Sequence, residues 1–264
     1  MKTAIYYFSA TGNSLYVAQK IGDKIKNSEL ISIPKVVNND EGIKGEVIGI
    51  VCPIYMYNVP LLVADFIRNI KSAEYIFLVY AGAGEFGSGI KDVLKIFASQ
   101  NLKLSSIFNV PMPSNYTPYG ITPEDKQKEL FANVDAKVDE IVKIVENRQG
   151  YITHSTNSFF STYIHPGILY RMGYSRINQM DKSFTTDEKC NGCSICQKVC
   201  PVNNIAMKDK KPQWKNQCQQ CYACLQWCPT ESIQASKRTI GIKRYHNPNV
   251  KVKDIINSSA EERS

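Results

Sequence analysis

Eight of the nine cysteines fall between residues 190 and 228, in two runs of the same spelling. The first is CNGCSICQKVCP, from Cys190 to Pro201, and the second is CQQCYACLQWCP, from Cys218 to Pro229. Each sets its cysteines at C-x2-C-x2-C-x3-C and follows the fourth with proline. The second run begins 28 residues after the first, at 218 against 190, and the likeness continues in CPVNNI and CPTESI, so the two form an internal repeat. Cubane iron–sulfur clusters take four thiolates, and three closely spaced cysteines on a tight loop can wrap one corner of such a core. Zinc is the competing metal. Paired C-x2-C knuckles hold it with two cysteines each, which leaves the third cysteine and the proline of each run unexplained. The spacing therefore predicts two [4Fe–4S] clusters.

The fourth cysteine of each run is predicted to open a helix that turns it away from the cluster of its own run. It then ligates the partner cluster. This gives Cys190, Cys193, Cys196 and Cys228 to one cluster and Cys218, Cys221, Cys224 and Cys200 to the other. Gly192, Ser194 and Ala223 are small and leave backbone amides free to donate to sulfur. From about 185 to 236 the chain resembles bacterial two-cluster ferredoxins. Cys52 lies far from the other eight and reads as a buried core thiol.

A second chemistry is written in FSATGNS, residues 8–14. The stretch leaves an apolar run and enters a helical pattern, and a helix N-terminus with free amides is a ready anion site. Ser9, Thr11 and Ser14 add hydroxyls beside Ala10 and Asn13, and Gly12 lets the backbone come close to a ligand. A plain hydrated turn is the competing reading. The lysine of a P-loop is absent, so the donors suit a single bound phosphate, as in FMN. S-x-T-G-N-S is similar to the flavodoxin phosphate loop.

Two more loops follow apolar runs. CPIYMYNVP supplies Pro53, Ile54, Tyr55 and Met56, and YAGAGEFGSG supplies Tyr80, Ala81, Gly82, Gly84, Phe86 and Gly87. In flavodoxin-like proteins loops at these places hold the isoalloxazine ring. The competing reading packs the aromatics against the next helix. Gly82, Gly84 and Gly87 also spell G-x-G-x-x-G, but no acidic residue stands between Asp92 and Glu124, where a dinucleotide site would want one. In PMPSNYTPYG, Asn115 and Tyr116 belong either over the flavin or against the cysteine-rich module.

These loops need a scaffold. Apolar runs predict strands at 3–8, 29–33, 46–51, 75–80 and 105–110. Helical spacing predicts helices over 13–26, from Pro60, over 89–99, and one long helix from Thr122, capped by its hydroxyl, with Leu130, Val134, Val138, Ile141 and Val145 along one stripe. The link at 34–45 is too short for a full crossover helix. The alternation predicts an α/β fold: a flavodoxin-like, doubly wound, five-stranded parallel sheet in the order 2-1-3-4-5, with a small α+β two-cluster ferredoxin domain. The expected boundaries are 1–149 for the flavin domain, 150–182 for an aperiodic interdomain segment, 183–236 for the ferredoxin domain and 237–264 for a basic tail.

The formal charge of +8 on 264 residues invites a nucleic-acid reading, but the charge is not gathered in one block. Two oxidised clusters at about −2 each and a flavin phosphate at about −1.5 to −2 would leave about +2, so no nucleic acid is expected. No apolar run approaches the roughly 18 residues of a membrane span, and the start lacks a signal-peptide core, so a cytoplasmic protein is expected. With these motifs, and with MPSNY and HNPNVKVKDII, nearly the whole chain resembles the flavodoxin–ferredoxin fusion proteins of anaerobic bacteria. The resemblance implies electron transfer between FMN and two [4Fe–4S] clusters. No motif specifies the donor protein, the acceptor protein or the oligomeric state. The alternative is an FMN-dependent reductase of a small acceptor, an oxidoreductase fed by the clusters. Against it, no His–Asp or Cys–His constellation lies near the flavin loops, and His154, His165 and His246 read as surface or packing residues.

Overall fold

The structure is a computed structural model and describes residues 2–38, 41–83, 89–152 and 173–260. Apolar runs of Ile, Val, Phe and Tyr form a parallel sheet buried on both faces. Its strands are β1 (Thr3–Tyr7), β2 (Ser28–Ser32), β3 (Ile43–Cys52), β4 (Ile70–Gly82), β5 (Ser106–Pro111) and β6 (Tyr151–Ile152). They stand in the order β2-β1-β3-β4-β5-β6. The first five reproduce the flavodoxin-like order. The two-residue β6 is additional: Tyr75 Oη and Ser106 Oγ both donate to the Gln149 carbonyl at 2.7 Å, and Tyr151 stacks on Phe108 at 5.1 Å. These contacts draw the chain onto the free edge of β5.

Helices α1 (Asn13–Lys24), α2 (Ile33–Val36), α3 (Leu61–Arg68), α4 (Gly89–Ser99), α5 (Glu124–Ala132) and α6 (Val134–Glu146) connect the strands. The apolar stripes of α1 and α6 pack together on one face of the sheet, and Val63, Phe66, Val93 and Phe97 of α3 and α4 lie on the other. The link between β2 and β3 carries only the four-residue α2, as its length implies. The expected long helix is two. Asn133 breaks it by turning its amide back onto the Glu129 carbonyl at 3.0 Å. Thr122 does not cap it, since its Oγ1 accepts from the Ser114 N–H at 2.8 Å.

The cysteine-rich module holds two small antiparallel pairs. One joins β7 (Thr185–Thr186) to β10 (Ile233–Gln234), and the other is the hairpin of β8 (Ile205–Lys208) and β9 (Lys211–Trp214). Asp209 and Lys210 both take positive φ in that two-residue turn, which matches the twist of its strands. The module adds two four-residue helices, α7 (Ile195–Lys198) and α8 (Ala223–Gln226). The last helix, α9 (Val252–Ser258), returns to the sheet: Ser258 Oγ pairs with Tyr7 Oη at 2.9 Å, and the Ser258 carbonyl accepts from Ser32 Oγ. The core beside α3 and α4 runs on into Val199, Cys221, Trp227, Val250 and Ile255. Among the described residues no helix is long and apolar enough to cross a membrane.

Candidate functional site

The repeat recurs in the backbone. Gly192 and Gln220, Ser194 and Tyr222, and Asn203 and Glu231 are pairs 28 residues apart, and all six take positive φ. The left-handed residue before each short helix turns the chain so that the third cysteine, Cys196 or Cys224, lies in the helix's first turn. The fourth cysteine stands past the helix end, at Cys200 and Cys228. The expectation that it opens a helix is thus wrong. The chain leaves the short helix and carries the fourth thiol away.

The thiols gather in two groups. Cys190, Cys193, Cys196 and Cys228 line one small enclosed space with Met207 and Thr230. Cys200, Cys218, Cys221 and Cys224 interact electrostatically with one another. Each group therefore takes three cysteines from one run and the fourth from the other. We refer to them as the outer and inner groups. In the outer group Cys193 is exposed and Cys190 and Cys228 are half-buried, whereas all four inner thiols are buried. None of the nine cysteines is in a disulfide. Among the described residues no three His, Cys, Asp or Glu side chains converge on a point that would hold a single ion.

Amides are aimed at the sulfurs. The Asn204 N–H donates to Cys200 Sγ at 3.2 Å and the Gln220 N–H to Cys218 Sγ at 3.1 Å. Burial pushes the Cys196 thiol up to about 11 and the Cys218 thiol to about 12, and it raises Cys200, Cys221 and Cys224 as well. At Cys228 burial acts the same way, but hydrogen bonds from Ser232 and Thr230 outweigh it and hold the thiol below its ordinary value. Buried thiolates on this pattern need a cationic core, so loading must release protons. Tyr55 Oη is buried with no hydrogen-bond partner among the described residues, in the electrostatic reach of Cys221 and Cys218. A sulfur-rich core there would give that hydroxyl its acceptor. The donor set and the orphaned hydroxyl both fit iron–sulfur clusters.

Beside the inner group lies a cavity of about 650 Å³, within the range of small-molecule sites. The 8–14 loop contributes Ser9, Ala10, Thr11, Asn13 and Ser14. The end of β3 contributes Pro53, Ile54, Tyr55 and Met56, and the end of β4 contributes Ala81 and Gly82. Asn115 and Tyr116 line it and also touch the module. The Asn115 carbonyl accepts from Gln226 Nε2 at 2.7 Å, and the Tyr116 ring meets Tyr222 edge-on. A polar loop at a helix start facing aromatic and backbone walls fits a phosphorylated flavin. Tyr80 is a correction: at 0% exposure it is packed in the core and does not line the cavity. Gly84, Phe86 and Gly87 lie outside the described residues, as do His154, His165 and most of the 150–182 segment. Cys52 is buried in the core, as expected.

Gly12 serves another purpose than the expected one. Its φ is +99°, and a Cβ there would come within 2.9 Å of Val250 and Asn247 rather than of a ligand. The residues after 244 close over the back of the loop. The Asn247 N–H donates to the Thr11 carbonyl at 2.7 Å, and Tyr245 Oη donates to Asn13 Oδ1 at 2.7 Å. Asn13 Nδ2 donates to the Pro113 carbonyl at 3.0 Å, so this side chain ties three segments together. Trp227 Nε1 donates to the Ala10 carbonyl at 2.9 Å, and His246 stacks on that indole at 4.3 Å. Gly89 is needed for packing, because a Cβ would lie 1.6 Å from the Tyr57 carbonyl in the turn after β3. Sequence reasoning missed Gln220, Tyr222, Gln226, Trp227, Tyr245 and Asn247. The departure of Gln220 and Tyr222 from their small counterparts was the one legible signal.

Comparison with known proteins gives one family match over part of the chain, and structural likenesses of low score. Residues 182–247 match the family described as a 4Fe–4S dicluster domain. Among solved structures, the chain is similar to "Structure of a flavodoxin from the domain Archaea", at 14% identity and a TM-score of 0.32, over 53% of this chain and 99% of that one. It is also similar to the Trp repressor binding protein from Bacillus subtilis, at 12% identity and a TM-score of 0.33, over 52% of this chain and 96% of that one. No curated protein matches the chain. The fold assignment rests on strand order, not on these scores. The class is an α/β protein of flavodoxin-like topology joined to a dicluster domain. The dicluster match supports an electron-transfer role for the cysteine-rich module.

Proposed function

We propose that this protein carries electrons between a bound FMN and two [4Fe–4S] clusters, in the cytoplasm of an anaerobe, and passes them to or from separate redox proteins. The supporting observation is a shared wall. The cavity formed by the 8–14 loop and the ends of β3 and β4 is closed by Gln220 and Tyr222, the neighbours of Cys221. When bound, FMN supplies exchange of one or two electrons and each cluster exchange of one. Ser9, Thr11 and Ser14, with the first amides of α1, would hold the phosphate. Tyr55 and Met56 on one side and Ala81 and Gly82 on the other would flank the ring. Cys190, Cys193, Cys196 and Cys228 would ligate the outer cluster, and Cys200, Cys218, Cys221 and Cys224 the inner one. Burial of the inner thiols excludes water from the flavin side, while exposed Cys193 marks the edge that a partner can reach. Residues 1–149 would be the flavin domain and 183–236 the ferredoxin domain, joined by 150–182 and followed by the tail at 237–264.

Protein purified without oxygen should contain about eight irons and eight acid-labile sulfides per chain, and denaturation should release FMN and not FAD. Zinc in place of iron, or no flavin, contradicts the reading.

A further inference from the structure

The two halves of the cysteine repeat make the same backbone turns from different residues. In the first half Gly192 and Ser194 take the left-handed positions, with φ of 74° and 61°. In the second half Gln220 and Tyr222 take them, with φ of 51° and 58°. Glycine adopts this conformation freely, whereas larger side chains hold it at a cost. The same short helix starts after both turns, so the turn itself does not call for glutamine or tyrosine. Strain carried by bulky residues is concentrated at functional sites.

Position gives the reason. Gln220 and Tyr222 both line the 650 Å³ cavity beside the 8–14 loop. Their counterparts do not. A Cβ on Gly192 would meet Lys210, and Ser194 borders a separate surface hollow with Lys35 and Lys198. The Tyr222 ring is 5% exposed, stacked on Phe184 at 6.0 Å and met edge-on by Tyr116 at 5.5 Å. Gln220 is half-buried. Its backbone N–H serves Cys218 Sγ, and its Nε2 is 3.4 Å from Tyr222 Oη, a long contact that leaves the amide able to serve a ligand.

We propose that Gln220 and Tyr222 are flavin-contacting residues supplied by the ferredoxin module: the Gln220 amide bonds the polar rim of the ring, and the Tyr222 ring walls the flavin from the inner cysteines. The inference rests on the flavin reading above. It makes the second motif a modified copy of the first, altered at the two places that reach the other domain.

The test uses the full-length loaded protein and three variants: Gln220→Gly, Tyr222→Leu and, as control, Tyr222→Phe. Iron content, the FMN dissociation constant and the flavin absorption maximum are measured. Gln220→Gly copies the first half and relieves the left-handed strain, so iron should stay at the parent level. FMN should dissociate roughly three- to tenfold more readily, the worth of one hydrogen bond. Tyr222→Leu should keep its iron, weaken FMN by a similar factor and move the flavin absorption maximum, while Tyr222→Phe stays close to the parent. If Tyr222→Leu does not fold, Gln220→Gly decides. Parent-like FMN affinity in Gln220→Gly with iron intact overturns the inference alone. A parent protein that releases no FMN overturns both this inference and the flavin reading.

Discussion

The outer and inner cysteine groups share their spacing, their left-handed turns and their following prolines, yet they sit in different surroundings. Cys193 of the outer group reaches solvent, and its neighbours Lys189, Asn191 and Lys198 are exposed. Cys221 and Cys224 of the inner group are buried, and Cys221 belongs to the core that includes Phe8 and Trp227. A repeat thus specifies a set of thiols, and the residues between the cysteines specify what each copy faces. At the outer copy the matching positions hold Gly192, Ser194, Lys198 and Val199. At the inner copy they are Gln220, Tyr222, Gln226 and Trp227, which fill the seam with the flavodoxin-like sheet.

The seam contact expected to matter most is Trp227. Trp227→Ala removes a buried indole and leaves the Ala10 carbonyl without its partner, which should cost about 3–5 kcal/mol in denaturant unfolding. Lys198→Ala, on the exposed side of the outer copy, should stay within about 0.5 kcal/mol. Equal effects would erase the distinction between the copies. Next is Asn13→Ala, which strands the Tyr245 hydroxyl and the Asn247 amide. A loss of about 2–3 kcal/mol is expected, with weaker FMN retention and unchanged iron. Parent-like stability would show that the tail does not brace the loop.

The grouping of the cysteines and most strands were legible because they rest on local patterns: cysteine spacing, and apolar runs bounded by turns. The break at Asn133 was not, since a continuous stripe from Leu130 to Val145 hides one side chain turning back on its own helix. The sixth strand was hidden as well, because two residues carry no period. Tyr80 looked like a ligand because it ends an apolar run, but its side chain falls on the core side of β4. The bracing of the 8–14 loop was illegible for another reason. Trp227 and Ala10 are 217 residues apart, and nothing in either segment names the other. For Gly12 the glycine was read correctly and its reason wrongly, since the close approach is by Asn247 and Val250.

A smaller effect sharpens the comparison further. Tyr55→Phe removes the orphaned hydroxyl beside the inner thiols. In the loaded protein it should shift the reduction potential of one cluster and leave the other unchanged, because only the inner core can accept that hydrogen bond. Two unchanged potentials would mean that the hydroxyl has no acceptor there.

The central claim, that the fourth cysteine of each run serves the other run's cluster, is tested most directly by iron release to a chelator from Cys200→Ser and Cys228→Ser. The parent should lose iron in two phases, fast from the exposed outer cluster and slow from the buried inner one. Cys200→Ser should keep the fast phase and lose the slow one, and Cys228→Ser should do the reverse. If Cys200→Ser instead loses the fast phase and keeps the slow one, each run ligates its own cluster and the crossed account is wrong.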